Sequence, residues 1–437
     1  MNHRWKEVIQ AAWVVWVAFF LFSIPSPRAG WAEAVGDSSQ PPLTLAQCHR
    51  LAMERSEEIA YRTELIAEAE ARFLTHLSGI LPKISFISTD RWQDSSRTGI
   101  PAFTRSKLPE RRFTISQPIF SGFKEFAALE GARSERLKNT WEKTQAERLL
   151  FGNVVDAFFL TLASRKEIEV LNEMREILRK RIEEIEERLR IGRSRLSEQL
   201  AVQAHLFRIE SEWEEAQARS TIATQLLQFL TGLATIPDLE EPDIPSPTLE
   251  PLETYLSQAR NRADVKAAEY AVETAQQALR VARAGFFPSV KTDGNYYIER
   301  SGPLEGVQWD VLLTINVPLF QGGGAVGASR EAASQLRQAQ IQLRRVRRLA
   351  EQEIRDAYAN CQGALAKLRA LTQAVEAAHE SALIQMEEYR RNLVGNLEVL
   401  SALQELQEIR RDLIQTRCEA MRLWWRLKAA CGDIPAP

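Results

Sequence analysis

The chain has 437 residues, with 56 lysines and arginines against 58 aspartates and glutamates and a net charge of −2 at pH 7. That near balance argues against a general nucleic-acid binder, and four cysteines in so long a chain make no disulfide framework. Beyond the N-terminus no apolar run is long enough for a transmembrane helix, so a secreted product would be either soluble or a β-barrel.

Residues 1–32 read as a secretory signal. Arg4 and Lys6 supply the positive start, Ala11 to Phe22 the apolar core, and Gly30-Trp31-Ala32 or Ala32-Glu33-Ala34 the small-residue cleavage site. An uncleaved anchor is the competing reading. Cys48 lies too far inside the first helical pattern to carry a lipid.

Residues 33–232 form a first repeat. A helix is expected from about Leu43 to Leu77, with Thr44 as its N-cap and Pro82 ending it. A hairpin follows over about 83–117. Ile84 and Phe86 begin its first strand, and in its second Phe113 and Ile115 alternate with Arg112, Thr114 and Ser116. From Phe120 to Leu189 there is no proline, which predicts one helix about 105 Å long at 1.5 Å per residue. Leu171, Met174, Leu178, Ile182, Ile185 and Leu189 mark it as a coiled-coil stripe. A turn and a returning helix to Leu230 complete the repeat. Residues 233–251 are a proline-crowded irregular linker.

Residues 252–431 repeat the plan, and 432–437 are a tail. The second hairpin spans about 289–317. Val290, Thr292, Gly294, Tyr296 and Ile298 alternate with polar neighbours, as do Trp309, Val311, Leu313, Ile315 and Val317. Period-two alternation over about ten residues suits a strand with lipid on one side and water on the other. A half-buried soluble hairpin is the blander reading. Ile115-Ser116-Gln117-Pro118-Ile119-Phe120-Ser121-Gly122 returns two hundred residues later as Ile315-Asn316-Val317-Pro318-Leu319-Phe320-Gln321-Gly322, and Gly79-Ile80-Leu81-Pro82 returns as Gly285-Phe286-Phe287-Pro288. The period is far too long for a solenoid and indicates a duplicated half-structure. Four strands leave two open edges, which lipid forbids, so membrane-spanning strands would require an oligomer.

Gly322 to Gly327 fits G-x-G-x-x-G between a strand and a helix. A dinucleotide site is rejected because the preceding strand alternates, the following helix has no return strand, and Ser121-Gly122-Phe123-Lys124 lacks the pattern. The glycines serve instead to bend a strand into a helix. His49, His76, His205 and His379 stand singly and offer no metal spacing. No nucleophile elbow is present, so neither an enzyme nor a cofactor is expected.

The signal, the duplicated plan and the junction motifs around Pro118, Gly122, Pro318 and Gly322 together resemble the TolC-like outer-membrane efflux protein family. The resemblance covers essentially the whole mature chain. It implies a mainly α fold with membrane β: a homotrimer whose twelve strands make one outer-membrane barrel, continuous with a periplasmic coiled-coil barrel. It also implies a passive exit duct for a tripartite efflux pump or a type I secretion system. The partners would be a periplasmic adaptor (membrane fusion) protein, an inner-membrane RND or ABC transporter, and outer-membrane lipid. The tunnel would close at its periplasmic tip. There Gly192, Arg193 and Arg195 lie in one turn and Asn392, Leu393 and Val394 in the other, and both turns would dock the adaptor. Glu398 would face the axis as a cation-favouring constriction, with Glu198 at the equivalent place in repeat one. Ser401 stands where some members carry a second acid. Cys48 and Cys431 would both fall near the middle of the tunnel, where a bridge between them is one reading. A periplasmic coiled-coil scaffold remains the alternative function. The sequence leaves the cargo open among drugs, metal ions, siderophores and polypeptides.

Overall fold

The computed structural model describes residues 42–94, 106–242, 249–302, 304–391 and 393–435. The signal segment, Asn392 and part of the proline-rich linker lie outside the described residues. The elements run α1 (Leu45–Arg55), α2 (Glu57–Leu77), β1 (Lys83–Trp92), β2 (Lys107–Phe120), α3 (Lys124–Arg190) and α4 (Leu196–Thr231). They continue with α5 (Leu252–Gln258), a short 3-10 turn, α6 (Ala263–Ala284), β3 (Ser289–Glu299), β4 (Trp309–Asn316), α7 (Gly324–Arg390) and α8 (Asn396–Cys431).

The helix expected to run unbroken from Leu43 to Leu77 is two helices. Thr44 does cap the first, in a capping box whose hydroxyl accepts from the Gln47 N–H at 3.1 Å while Gln47 Oε1 accepts from the Thr44 N–H at 2.9 Å. Ser56 then leaves helical geometry, with ψ at 113°, and its hydroxyl accepts from the Ile59 N–H to start α2. A residue that can cap ends one helix and begins another without an orphaned donor. The segment before the second hairpin is likewise divided, at Ala259–Asn261.

Helices α3 and α7 each have 67 residues, and α4 and α8 each have 36. Each long helix is therefore about 100 Å from end to end. In repeat one, α2 lies along the strand-proximal half of α3 and α4 along the other half; α6 and α8 lie along α7 in the same way. The two repeats join where α3 packs on α6 and α8. The coiled-coil stripe is buried as its spacing requires: Leu171, Leu178 and Ile185 have no exposed surface, and they pack with Val202 and Ile209 of α4.

The four strands form one antiparallel sheet in chain order, with β1 and β4 as open edges. One face carries Ile84, Phe86, Phe113, Ile115, Tyr296, Val311, Leu313 and Ile315, all exposed in the single chain. The other face is polar and cross-bonded. Ser116 donates to Asp293 at 2.6 Å, Thr114 to Asn295 at 2.8 Å, and Asn295 to Asp310 at 2.8 Å.

Midway along the helices, Phe151, Phe158 and Phe159 of α3 bury against α1, the end of α4 and α8, and this forms the largest apolar core. The linker closes over it through a parallel bridge between Leu43 and Leu239. Cys48 belongs to this core, whereas Cys431 belongs to a second one around Ile354 and Cys361. All four cysteines are free thiols, so the bridge between Cys48 and Cys431 does not form. The two residues are buried in separate clusters and act there as small apolar groups.

Candidate functional site

The two turns between long and returning helices lie at the end of the bundle remote from the sheet. In the first, Gly192 takes a φ of +73°, so that Arg193 donates to the Arg188 carbonyl at 2.8 Å and closes the last turn of α3. In the second, Leu393 donates to the Glu388 carbonyl at 2.9 Å in the same way. Arg193 and Arg195 are exposed. Leu393 is also exposed, at 69%, whereas Val394 packs against the apolar cluster formed by Tyr389, Val399 and Leu403.

Glu198 and Glu398 are both the third residue of their helices. A carboxylate there meets the positive end of the helix dipole, which gives both a local reason to be acidic. Their surroundings differ. Glu198 is half-buried and accepts the Ser194 hydroxyl at 2.5 Å. Glu398 is exposed, and among the described residues no hydrogen bond or ion pair engages its carboxylate. Ser401 is exposed one turn further along α8.

Beside these carboxylates is a cluster that the spacing of residues did not suggest. Arg181 of α3 is almost fully buried against the start of α8. Its guanidinium lies 3.8 Å from the centre of the Tyr389 ring, donates to Asn396 Oδ1 at 3.1 and 3.3 Å, and pairs with Glu184 at 2.9 Å. The Arg188 guanidinium lies 4.4 Å from the same ring. Asn396 in turn donates to the Glu198 carbonyl at 3.3 Å. The tips of repeat one and repeat two are thus pinned by a cation–π stack and a bridging amide. In the sequence Arg181 is one of many charges flanking a coiled-coil stripe. The available signals were an aromatic ring at a helix end and Asn396 where repeat one has Leu196.

At the opposite end, the strand–helix junctions turn through left-handed backbone. Gly122 has φ +67° and Gly322 has φ +59°. A Cβ on Gly122 would come within 2.9 Å of Phe287 Cβ and 3.0 Å of the Ala284 carbonyl, so close approach as well as conformation requires glycine there. Pro118 lies in β2 opposite Lys291, next to a register shift, whereas Pro318 falls just past the end of β4. Among the described residues no group of three or more His, Cys, Asp or Glu is placed to hold a metal ion.

A sheet with one apolar and one polar face, joined to paired helices about 100 Å long, defines the architecture of a channel that crosses an outer membrane and extends into the periplasm. The model of the outer membrane efflux protein family matches residues 51–233 and 255–433. The chain therefore belongs to that family. It is 22% identical over 380 residues to the alkaline protease secretion protein AprF of Pseudomonas aeruginosa, covering 82% of this chain and 78% of that one. It is 21% identical over 364 residues to the outer membrane efflux protein BepC of Brucella suis, covering 78% and 77%. The fold matches that of the outer membrane protein VceC of Vibrio cholerae with a TM-score of 0.76 at 21% identity, over 89% of this chain and 96% of that one.

Proposed function

We propose that the protein is the passive exit duct of a tripartite efflux pump or type I secretion system, working as a homotrimer. The observation that carries this is the open four-stranded sheet with a continuous exposed apolar face. Closing the unpaired edges of β1 and β4 takes further copies, and lipid is the solvent that suits the apolar face. A periplasmic scaffold would have no use for such a face. Similarity to both a secretion protein and an efflux protein supports the duct and leaves both system classes open.

Within this reading, the two tips meet the hairpin of a periplasmic adaptor, and the energy comes from an inner-membrane transporter. Glu398 gives the trimer three carboxylates at one level near the closed end, which favours cations. The test is the mass of the detergent-extracted mature protein, together with conductance after its reconstitution into planar bilayers. A trimer that conducts ions is expected, and a monomer without conductance would refute the proposal.

A further inference from the structure

We infer that His205 is a proton-operated latch between the two helical hairpins: neutral, it ties α4 to α8 near the tip, and on taking up a proton it lets them part and the tip widen. The inference rests on the duct reading and adds how the closed end responds to acid.

Helices α4 and α8 belong to different repeats and touch only briefly, above the turns. Polar side chains make the links. Asn396 donates to the Glu198 carbonyl at 3.3 Å, Gln404 to His205 Nδ1 at 3.0 Å, Gln407 to Glu212 at 3.3 Å and Arg411 to Glu212 at 3.0 Å. Each helical hairpin is itself a packed coiled coil, so the aperture of the tip changes only when one hairpin moves against the other. These links resist that movement. The imidazole is the member of the ladder whose ordinary pKa lies near neutrality. Its equivalent in repeat two is Glu405, which is exposed, so each copy carries one latch.

Two N–H groups point at Nδ1, from Gln404 and, at 3.1 Å, from Arg208 Nη2. Nδ1 is therefore the acceptor, and the hydrogen of the neutral ring is on Nε2. Among the described residues nothing accepts from Nε2. A second proton can go only on Nδ1, where it meets an amide donor and a guanidinium. Rotating the Gln404 amide would offer its oxygen, but Arg208 would remain at hydrogen-bond distance with the same charge. The imidazolium would also be held out of water, since His205 is 4% exposed.

The remaining charges nearby do not relieve it. Glu212 is already engaged by Gln407 and Arg411, and lies 3.9 Å from Arg208. On α3, the residues packed against this stretch of α4 are the apolar Leu171, Met174 and Leu178, and Arg175 is occupied by Glu210 and the Trp213 ring. Burial and the Arg208 charge, opposed by Glu212, hold the latched ring at a pKa of about 4. Released into water, it returns to about 6.5. The released form has the higher pKa, so falling pH favours release, from about 6.5 down to about 4. At pH 5 the two values give a bias of up to about 30-fold per subunit.

The test uses the full mature chain reconstituted into lipid. A spin label on Leu393→Cys reports the separation of copies across the tip, and the four native thiols are buried. Between pH 7 and pH 5 the distance distribution should gain a longer population, and His205→Gln, which cannot take up the proton, should abolish the gain. Gln404→Glu places a carboxylate against the new charge and should cancel the gain as well, which serves should His205→Gln fail to assemble. Conductance is measured in the Glu398→Gln background, so that this ring does not titrate. It should rise several-fold on acidification, and stay flat once His205→Gln is added. A conducting trimer whose tip does not widen at pH 5, or widens equally in parent and variants, would overturn the latch and leave the duct standing. A monomer without conductance would remove both.

Discussion

At the scale of single residues, Glu398 and Glu198 show how equal positions acquire unequal work. Both sit in a first helical turn, but Glu198 is half-buried and accepts from Ser194, while Glu398 is exposed, with its Oε2 over Gly395. Glu398→Gln should therefore cost less than about 1 kcal/mol of stability. It should reduce cation preference in single-channel recordings without changing trimer yield, and Glu198→Gln should do less. The reverse order would place the constriction on the other hairpin. Tyr389 lies between two guanidiniums at 3.8 and 4.4 Å. Tyr389→Ala should loosen the tip by about 3 kcal/mol, from lost packing and lost cation–π attraction. Hydrogen exchange should rise at the ends of α4 and α8 nearest the turns and stay unchanged at the sheet. His205 is 4% exposed, and Arg208 and Gln404 both donate to its Nδ1. Burial, aided by the Arg208 charge and opposed by Glu212, pushes its pKa down to about 4. A histidine held neutral in the fold gives its full stability above the unfolded pKa of about 6.5 and loses it as pH falls toward 4. After solvent screening the loss is about 2 kcal/mol. Thermal unfolding at pH 7 and pH 4.5 should show a smaller acid shift in His205→Gln than in the parent.

At the scale of elements, the strands depend on which solvent each face meets. Leu313→Arg should cost about 2–4 kcal/mol if Leu313 sits near the bilayer midplane, read as lost heat-resistant trimer on unheated gels. The same change at Thr314, on the polar face, should be far milder. Alternation made this arrangement legible in the sequence, because a period of two by itself assigns every second side chain to a common face. The long helices were legible for a similar reason: an unbroken stripe from Leu171 to Leu189 without proline has few alternatives. Their ends were less so. Ser56 breaks a pattern that periodicity runs straight through, since its effect comes from a hydroxyl competing with the backbone. The pin of Arg181, Tyr389 and Asn396 left only faint marks in the sequence, an aromatic ring at a helix end and an amide where repeat one has Leu196. It depends on two segments far apart in sequence arriving side by side, and an arginine has the same letter whether it is solvated or buried. The tip turns differ in chemistry as well. Arg193 and Arg195 mark the first and Leu393 the second, so adaptor docking should combine salt-sensitive and apolar contacts. Arg193→Ala should weaken adaptor cross-linking most at low salt, and Leu393→Ala should weaken it at all salt concentrations.

At the scale of the whole molecule, no helix among the described residues is long and apolar enough to cross a membrane. Among the described residues, the sheet offers lipid its apolar face through alternate strand residues. Duplication lets one such plan serve twice. It also fixes a dimension. The helices α3 and α7 match at 67 residues and α4 and α8 at 36, so both tips end at one level. Removing seven residues from each of α3 and α4, and none from α7 and α8, would leave the first turn about 10 Å short of the second. An adaptor that closes on a ring of turns would then meet a ragged rim, three tall and three short. The reach of the duct can therefore change only when four helices shorten or lengthen in step, as the legs of a table must be cut together.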